Sequence, residues 1–266
     1  MNFPTIDIII PVYNAEKTLM RAVKSVLNQP HFGQLWLIDD CSKDNSFTLM
    51  QQLASQYPHK IQIEQMPKNV GPAKARNWGA LQSQSEFIAF LDADDAYEQD
   101  ALEVASSVFA FRPEISVVRL ALTPVDLAER YAKHPNFDYA WQHMRMTTAT
   151  NTVFRRAFFL ACGGFPQDDL FAQFGGEDGA LGIATTKINT VATLFKEKGV
   201  LHYCREGMHA ERLLNAILFQ QADTNIQPEH YQQAEAITER ICHEINQLKI
   251  SLNTKTGIQP LILERK

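Results

Sequence analysis

What most constrains this chain is the regular alternation, through residue 122, of short β-branched or aromatic apolar runs with longer stretches of helical period. Residues 6–12 form an apolar run broken only by Asp7 and closed by Pro11, the pattern of a strand buried on both faces. Residues 15–28 then carry Leu19, Ala22, Val23, Val26 and Leu27 at spacings of three and four, the stripe of an amphipathic helix. Further strands are expected at 35–38, 61–65, 87–91 and 115–122, with helices from Ser42 or Asp44 to 57, over 71–84 and over 98–111. Such alternation implies βαβ units: an α/β fold with a Rossmann-like, mostly parallel sheet flanked by helices.

Beyond residue 122 the period weakens. A helix is expected over 124–134 and a loop or lid over 135–150, then a strand at 151–154 and a helix over 156–162 stopped by Gly163-Gly164. A helix over 179–187, a strand at 200–203 and helices over 209–221 and 228–248 follow, the last two with apolar positions that read as packing faces. The expected organisation is one domain over 1–208, divided into halves 1–122 and 123–208, with a helical C-terminal extension over 209–266.

In an open parallel sheet, ligands gather beyond the carboxyl ends of the strands. Three polar clusters fall there: Pro11-Val12-Tyr13-Asn14, Asp39-Asp40, and Asp92-Ala93-Asp94-Asp95. The last places three carboxylates in four residues directly after an apolar run, and they repel one another unless a cation sits among them. A divalent ion with hard oxygen ligands answers that need and keeps positions open for substrate phosphates, so the expected substrate carries a diphosphate. Taken alone, the triplet reads more readily as a solvated acidic turn capping the next helix.

Composition excludes other classes. A net charge of −5 gives no general attraction for nucleic acid. No apolar run approaches the ~20 residues of a membrane span, and residues 1–5 lack a basic region followed by an apolar stretch, so the expected location is cytoplasmic. The basic end Glu264-Arg265-Lys266 is too short for an anchor. Cys41, Cys162, Cys204 and Cys242 form no C-x-x-C pair and read as reduced thiols.

The segments Ile8-Ile9-Ile10-Pro11-Val12-Tyr13-Asn14-Ala15-Glu16, Leu37-Ile38-Asp39-Asp40-Cys41-Ser42-Lys43-Asp44, Asn69-Val70-Gly71-Pro72-Ala73-Lys74-Ala75-Arg76-Asn77 and Phe90-Leu91-Asp92-Ala93-Asp94-Asp95 together resemble the family 2 glycosyltransferases of the GT-A fold. The resemblance resumes at Gly163-Gly164-Phe165 and Glu177-Asp178, and Cys41 stands where that family usually has glycine. It implies a metal-dependent, inverting transferase that uses Mn²⁺ or Mg²⁺ to move a sugar, a hexosyl or N-acetylhexosaminyl group, from a nucleotide-sugar, expected to be a UDP-sugar, to a hydroxyl.

By that resemblance Pro11, Tyr13 and Asn14 lie at the nucleotide, with the Tyr13 ring against uracil, Asp40 accepting from the base N3–H and Asp39 nearby. Glu16 is either a ribose contact or a first-turn glutamate favoured by the helix dipole. Arg76 reaches the nucleotide, its fork suiting phosphate or base oxygens. Asp92 and Ala93 lie at the ribose, Asp92 and Asp94 at the metal, and Asp95 shares the ion or supports it from behind. Glu177-Asp178 is the acceptor-side pair, Asp178 the general base that takes the hydroxyl proton. His209, in the junction Arg205-Glu206-Gly207-Met208-His209, is a candidate additional metal ligand, with His202 left open beside it because the spacing does not decide between them; singly, each histidine reads as a surface or capped residue.

A sugar-nucleotide pyrophosphorylase would need a glycine-rich basic loop after the first strand, and no G-x-G-x-x-G opens the first helix for a dinucleotide. The alternative from another class is a catalytically silent nucleotide-sugar-binding protein on this fold. The resemblance implies surface polysaccharide or lipopolysaccharide biosynthesis, with a glycan or lipid-linked glycan acceptor and peripheral contact with the inner membrane face. Donor sugar, linkage and oligomeric state are not legible.

Overall fold

The computed structural model describes residues 3–221 and 223–251; the tail residues 264–266 lie outside the described residues. The chain begins β1 (Ile6–Val12), α1 (Leu19–Leu27), β2 (Phe32–Asp39), α2 (Ser46–Gln56), β3 (Ile61–Gln65), α3 (Pro72–Gln82), β4 (Phe87–Phe90), β5 (Ala96–Tyr97) and α4 (Ala101–Phe111). It continues β6 (Val117–Leu120), β7 (Leu122–Val125), α5 (Glu129–Ala132), α6 (Phe137–Thr147), β8 (Thr152–Arg155), α7 (Arg156–Ala161) and α8 (Asp169–Phe174). It closes with α9 (Glu177–Ile188), β9 (Val191–Leu194), β10 (Val200–Tyr203), α10 (His209–Phe219) and α11 (Pro228–Ser251).

A seven-stranded sheet has the order β3-β2-β1-β4-β8-β6-β9. Its neighbours are parallel except at β8, which runs antiparallel to both β4 and β6. The mixed, mostly parallel α/β architecture read from the sequence is therefore present. Strand β1 lies near the centre with Ile6, Ile8, Ile9, Ile10 and Val12 fully buried. Ile8 and Ile10 face the core that holds Leu19 and Val23 of α1, while Ile9 faces Ala75 and Ala80 of α3. Each full burial of this kind is worth about 1.5–3 kcal/mol. Asp7 is tolerated inside this strand because both oxygens are satisfied, one by the Gln34 N–H at 2.9 Å and the other by the Ser83 hydroxyl at 2.7 Å. Helix α3 approaches β1 so closely that a Cβ on Gly79 would lie 2.5 Å from the Ile9 side chain.

Three expectations need correction. The single strand over 115–122 is two: β6 belongs to the main sheet, and β7 starts a second sheet of order β5-β10-β7. The chain changes sheets at Ala121, whose carbonyl accepts from Val200 N–H at 2.9 Å. Pro124, expected to open a helix, instead lies in β7, an edge strand where its missing N–H costs little. The loop or lid over 135–150 is largely helix α6, held because Ala140 and Trp141 are fully buried and the Trp141 indole donates to the Leu122 carbonyl at 2.7 Å. At the far end α11 packs on α9 through Ile237, Ile241 and Ile245, the packing face expected of it.

Candidate active site

The carboxyl ends of β1, β2 and β4 open onto a cavity of about 970 Å³. Pro11, Tyr13, Asn14, Glu16, Asp40, Arg76, Asp92, Ala93, Asp94 and His209 all line it, so most of the residues singled out in the sequence meet in one place. Asp39, Asp95, Glu177 and Asp178 are not on its wall.

The part of the cavity beyond β1 and β2 is built by two laced loops. Asn14 adopts φ 50° after β1, and its side-chain oxygen accepts from Lys43 N–H at 2.7 Å while its own N–H donates to the Ser42 hydroxyl at 3.1 Å. Glu16 accepts from the Asn45 backbone and side-chain amides, both at 3.0 Å, so here it braces the loop before α2. Cys41 takes φ 61°, the left-handed conformation that explains why glycine is usual there. Tyr13, 49% exposed, is thereby held with its ring free at the rim.

Asp40 is buried and accepts from the amides of Val70 at 2.7 Å and Gly71 at 2.9 Å. Burial pushes its carboxyl above the ordinary value, with those two amides pulling the other way. Each oxygen keeps a second lone pair, so a further N–H donor can be accommodated. Asp39 lies beneath the cavity, its oxygens taken by Ser42 N–H and the Gln65 amide at 3.0 Å. That places it as a brace of the turn after β2 rather than as a cavity contact.

The acidic turn after β4 divides into three tasks. Asp95 is fully buried and accepts from Thr150 Oγ1 at 2.9 Å, His202 Nδ1 at 3.0 Å and Tyr203 N–H at 3.2 Å, tying the turn to β10. Burial raises its pKa and the His202 contact offsets part of this. Burial works against charge on His202, but the hydrogen bond and charge of Asp95 outweigh it and raise the imidazole pKa. Asp92 accepts from Arg76 Nη2 at 2.5 Å. Asp94 accepts at Oδ2 from Arg205, Nη2 at 3.2 Å and Nε at 3.3 Å.

Arg76 joins the two ends of the site. Its guanidinium, 7% exposed, bridges Asp92 and Glu177, the latter through Nη1 at 3.1 Å. Burial opposes its charge, but Asp92, Glu177 and Asp178 outweigh burial and hold its pKa above the ordinary value. Glu177 and Asp178 open α9 after Gly175 and Gly176, both at positive φ. Asp178 accepts from Gly179 N–H at 2.8 Å and Ala149 N–H at 3.3 Å and faces a small crevice beside Arg119 and Thr148. Burial and the Glu177 charge push its carboxyl up to about 7, with Arg76 pulling it down. That is the range in which a carboxylate works as a general base at neutral pH.

Asp92 and Asp94 give hard oxygen donors on one wall, whereas no group of three or more His, Cys, Asp or Glu among the described residues forms a ready cage. The residues therefore fit a divalent cation bound by one or two carboxylates and completed by substrate phosphates. His209 fits less well: its Nδ1 accepts from Arg212 at 2.9 Å, and burial together with the Arg212 charge lowers its pKa. A neutral ring accepting there carries its proton on Nε2 and has no free lone pair for a metal.

Arg21 and Tyr203 went unread in the sequence. Arg21 lies on α1 with its guanidinium 3.5 Å from the Tyr203 ring centroid and donates to the Asp94 carbonyl. Apolar periodicity carries no signal for a cation beside the stripe, and Tyr203 closes a strand 108 residues from Asp95, to which its N–H donates.

These residues form one polar cavity at the carboxyl edge of the sheet, lined by carboxylates and arginines together. The structure superposes on the crystal structure of S. aureus TarS 1-349 in complex with UDP at a TM-score of 0.61, with 20% identity, covering 93% of this chain and 72% of that one. At that identity the likeness establishes the GT-A-like fold. The sequence matches the family described as Glycosyl transferase family 2 over residues 7–167, more than half of the chain, and this protein belongs to that family. It is 42% identical over 126 residues to the minor teichoic acid biosynthesis protein GgaA of Bacillus subtilis strain 168, covering 45% of this chain and 27% of GgaA. It is 37% identical over 102 residues to the poly(ribitol-phosphate) beta-N-acetylglucosaminyltransferase TarP of Staphylococcus aureus strain N315, covering 37% of this chain and 31% of TarP. These matches span under two thirds of those relatives' length. Among the described residues no helix is long and apolar enough to cross a membrane.

Proposed function

We propose that this protein transfers a sugar, a hexosyl or N-acetylhexosaminyl group, from a UDP-sugar to a hydroxyl of a cell-surface polymer or its lipid-linked precursor, with inversion and with Mn²⁺ or Mg²⁺. The observation that carries this reading is the convergence of Tyr13, Asp40, Asp92 and Asp94 on one cavity from three strand ends. In it, Tyr13 packs against the uracil face and Asp40 accepts from N3–H through its spare lone pairs. Asp92 and Asp94 hold the cation, which when bound supplies positive charge to the departing diphosphate. Arg76 orients Asp92 through a fixed fork, and Glu177 holds Arg76 from the acceptor side. Asp178 takes the acceptor proton as the bond to the anomeric carbon forms.

The acceptor class is supported by TarP, named for a poly(ribitol-phosphate), and by GgaA, named for minor teichoic acid biosynthesis. In TarS, whose crystals hold UDP and UDP-GlcNAc, the same fold takes the proposed donor class. Peripheral contact with the membrane follows if the acceptor is lipid-linked. A panel of nucleotide-sugars assayed for UDP release with Mn²⁺ or with chelator tests the reading. One UDP-sugar should turn over with the metal and fail in Asp94→Asn; release that ignores metal and Asp94 overturns the metal assignment. Binding without release or transfer on any acceptor would favour the silent alternative.

A further inference from the structure

Resting on that donor reading, we propose that Arg205 is an exchangeable counter-ion: it neutralises Asp94 while the site is empty and moves to the diphosphate when nucleotide and metal arrive. The three carboxylates of the turn are held in different ways. Asp95 is fully buried with three donors, and Asp92 is fixed at 2.5 Å by a guanidinium that is itself 7% exposed. Asp94 alone is held by a side chain in solvent. Its carboxylate is 34% exposed and Arg205 is 71% exposed.

The pairing is also loose in geometry. Both Arg205 donors reach the same oxygen, at 3.2 and 3.3 Å, beyond the 2.7–2.9 Å usual for a charge-assisted bond. Exposed pairs of this kind contribute ~0–1 kcal/mol, so exchange costs little. Arg205 stands on the short connection between β10 and α10, just before Gly207 at φ 78°. It lines the same cavity as Asp94, so its guanidinium can reach a diphosphate there without a large movement of the fold. The forked donors of arginine match phosphate oxygens bidentately, a stronger contact than the single carboxylate oxygen it leaves.

Arg21 forms the fixed counterpart. It is clamped between the Tyr203 ring and the Asp94 carbonyl, so it keeps positive charge at the turn whichever partner Arg205 holds. The empty site thus avoids an unneutralised carboxylate, and the loaded site gains a second cation on the leaving group.

The exchange predicts opposite effects on two ligands. Titration calorimetry on the whole chain, with Mn²⁺ followed by its paramagnetic resonance, compares the parent with Arg205→Gln and Arg205→Lys. In Arg205→Gln, Mn²⁺ alone should bind about 2–5-fold tighter, because its competitor is gone. UDP in saturating Mn²⁺ should bind about tenfold or more weaker, and UMP less than twofold weaker, because the lost contact is to the terminal phosphate. Arg205→Lys should fall between on UDP. If Mn²⁺ affinity is unchanged or weaker in Arg205→Gln, or if UDP affinity is unchanged, the exchange is wrong. A parent that binds neither UDP nor Mn²⁺ overturns the donor reading itself, a result separable from the variant comparison. Arg205 is exposed and packs no core, so these changes are read on a folded protein.

Discussion

Replacing Arg76 by methionine tests whether the site is organised around one buried cation. The guanidinium is 7% exposed and bridges Asp92 and Glu177, whose side chains are 28% and 9% exposed. Arg76→Met keeps the apolar stem but leaves two carboxylates facing each other beside Asp178. Breaking a buried pair by removing one partner costs about 3–5 kcal/mol. With a urea slope of roughly 3 kcal/mol per M, the unfolding midpoint should fall by about 1–1.7 M. The loss should depend on pH with a definite sign. In the parent, Asp178 titrates near 7 when folded, above its ordinary 3.8, so its contribution to stability is present below about pH 4 and lost as pH rises through 7. Arg76 pulls that folded value down, so its removal moves the loss to higher pH. The deficit of Arg76→Met should therefore be larger at pH 8 than at pH 5. Urea unfolding followed by circular dichroism at both pH values measures this. A deficit under 1 kcal/mol, or one equal at both pH values, would refute the bridging role.

Two further outcomes are expected. If Asp178 is the base, kcat/KM for transfer should rise with pH through about 7 and level off above it, and Asp178→Asn should lose ~10²–10⁴ in kcat; an activity that falls over this window excludes the assignment. Cys41→Gly should stabilise the protein by about 0.5–1 kcal/mol, because relief of the left-handed strain, ~1–2 kcal/mol, exceeds the entropy glycine adds to the unfolded chain; a lower melting temperature in that variant would contradict it.

The first half of the molecule was legible in sequence because its strands are buried on both faces and its helices bury one stripe, so period and burial coincide. The three polar clusters could be placed together from topology alone, since parallel strands all end at one edge. The second half was harder for physical reasons. The chain crosses between sheets at Ala121 without a turn residue, so β6 and β7 read as one run. Helix α6 does carry Phe137, Ala140, Trp141 and Met144 at helical spacing, but the polar residues among them masked so short a stripe. Nor does a motif distinguish a carboxylate that faces ligand from one that braces a turn. Asp39 and Asp40 are adjacent, yet the pleat sends one to Gln65 and the other to the cavity wall. Arg21 and Tyr203 meet only through folding, which no local pattern records.

The central claim, that the sheet-edge cavity is the donor site, is tested most directly by a crystal structure with UDP and Mn²⁺, the metal located by anomalous scattering. Uracil should lie between Tyr13 and Asp40, with Mn²⁺ in direct contact with Asp94 and the diphosphate. Nucleotide bound elsewhere on the chain, or metal away from Asp92 and Asp94, would contradict it.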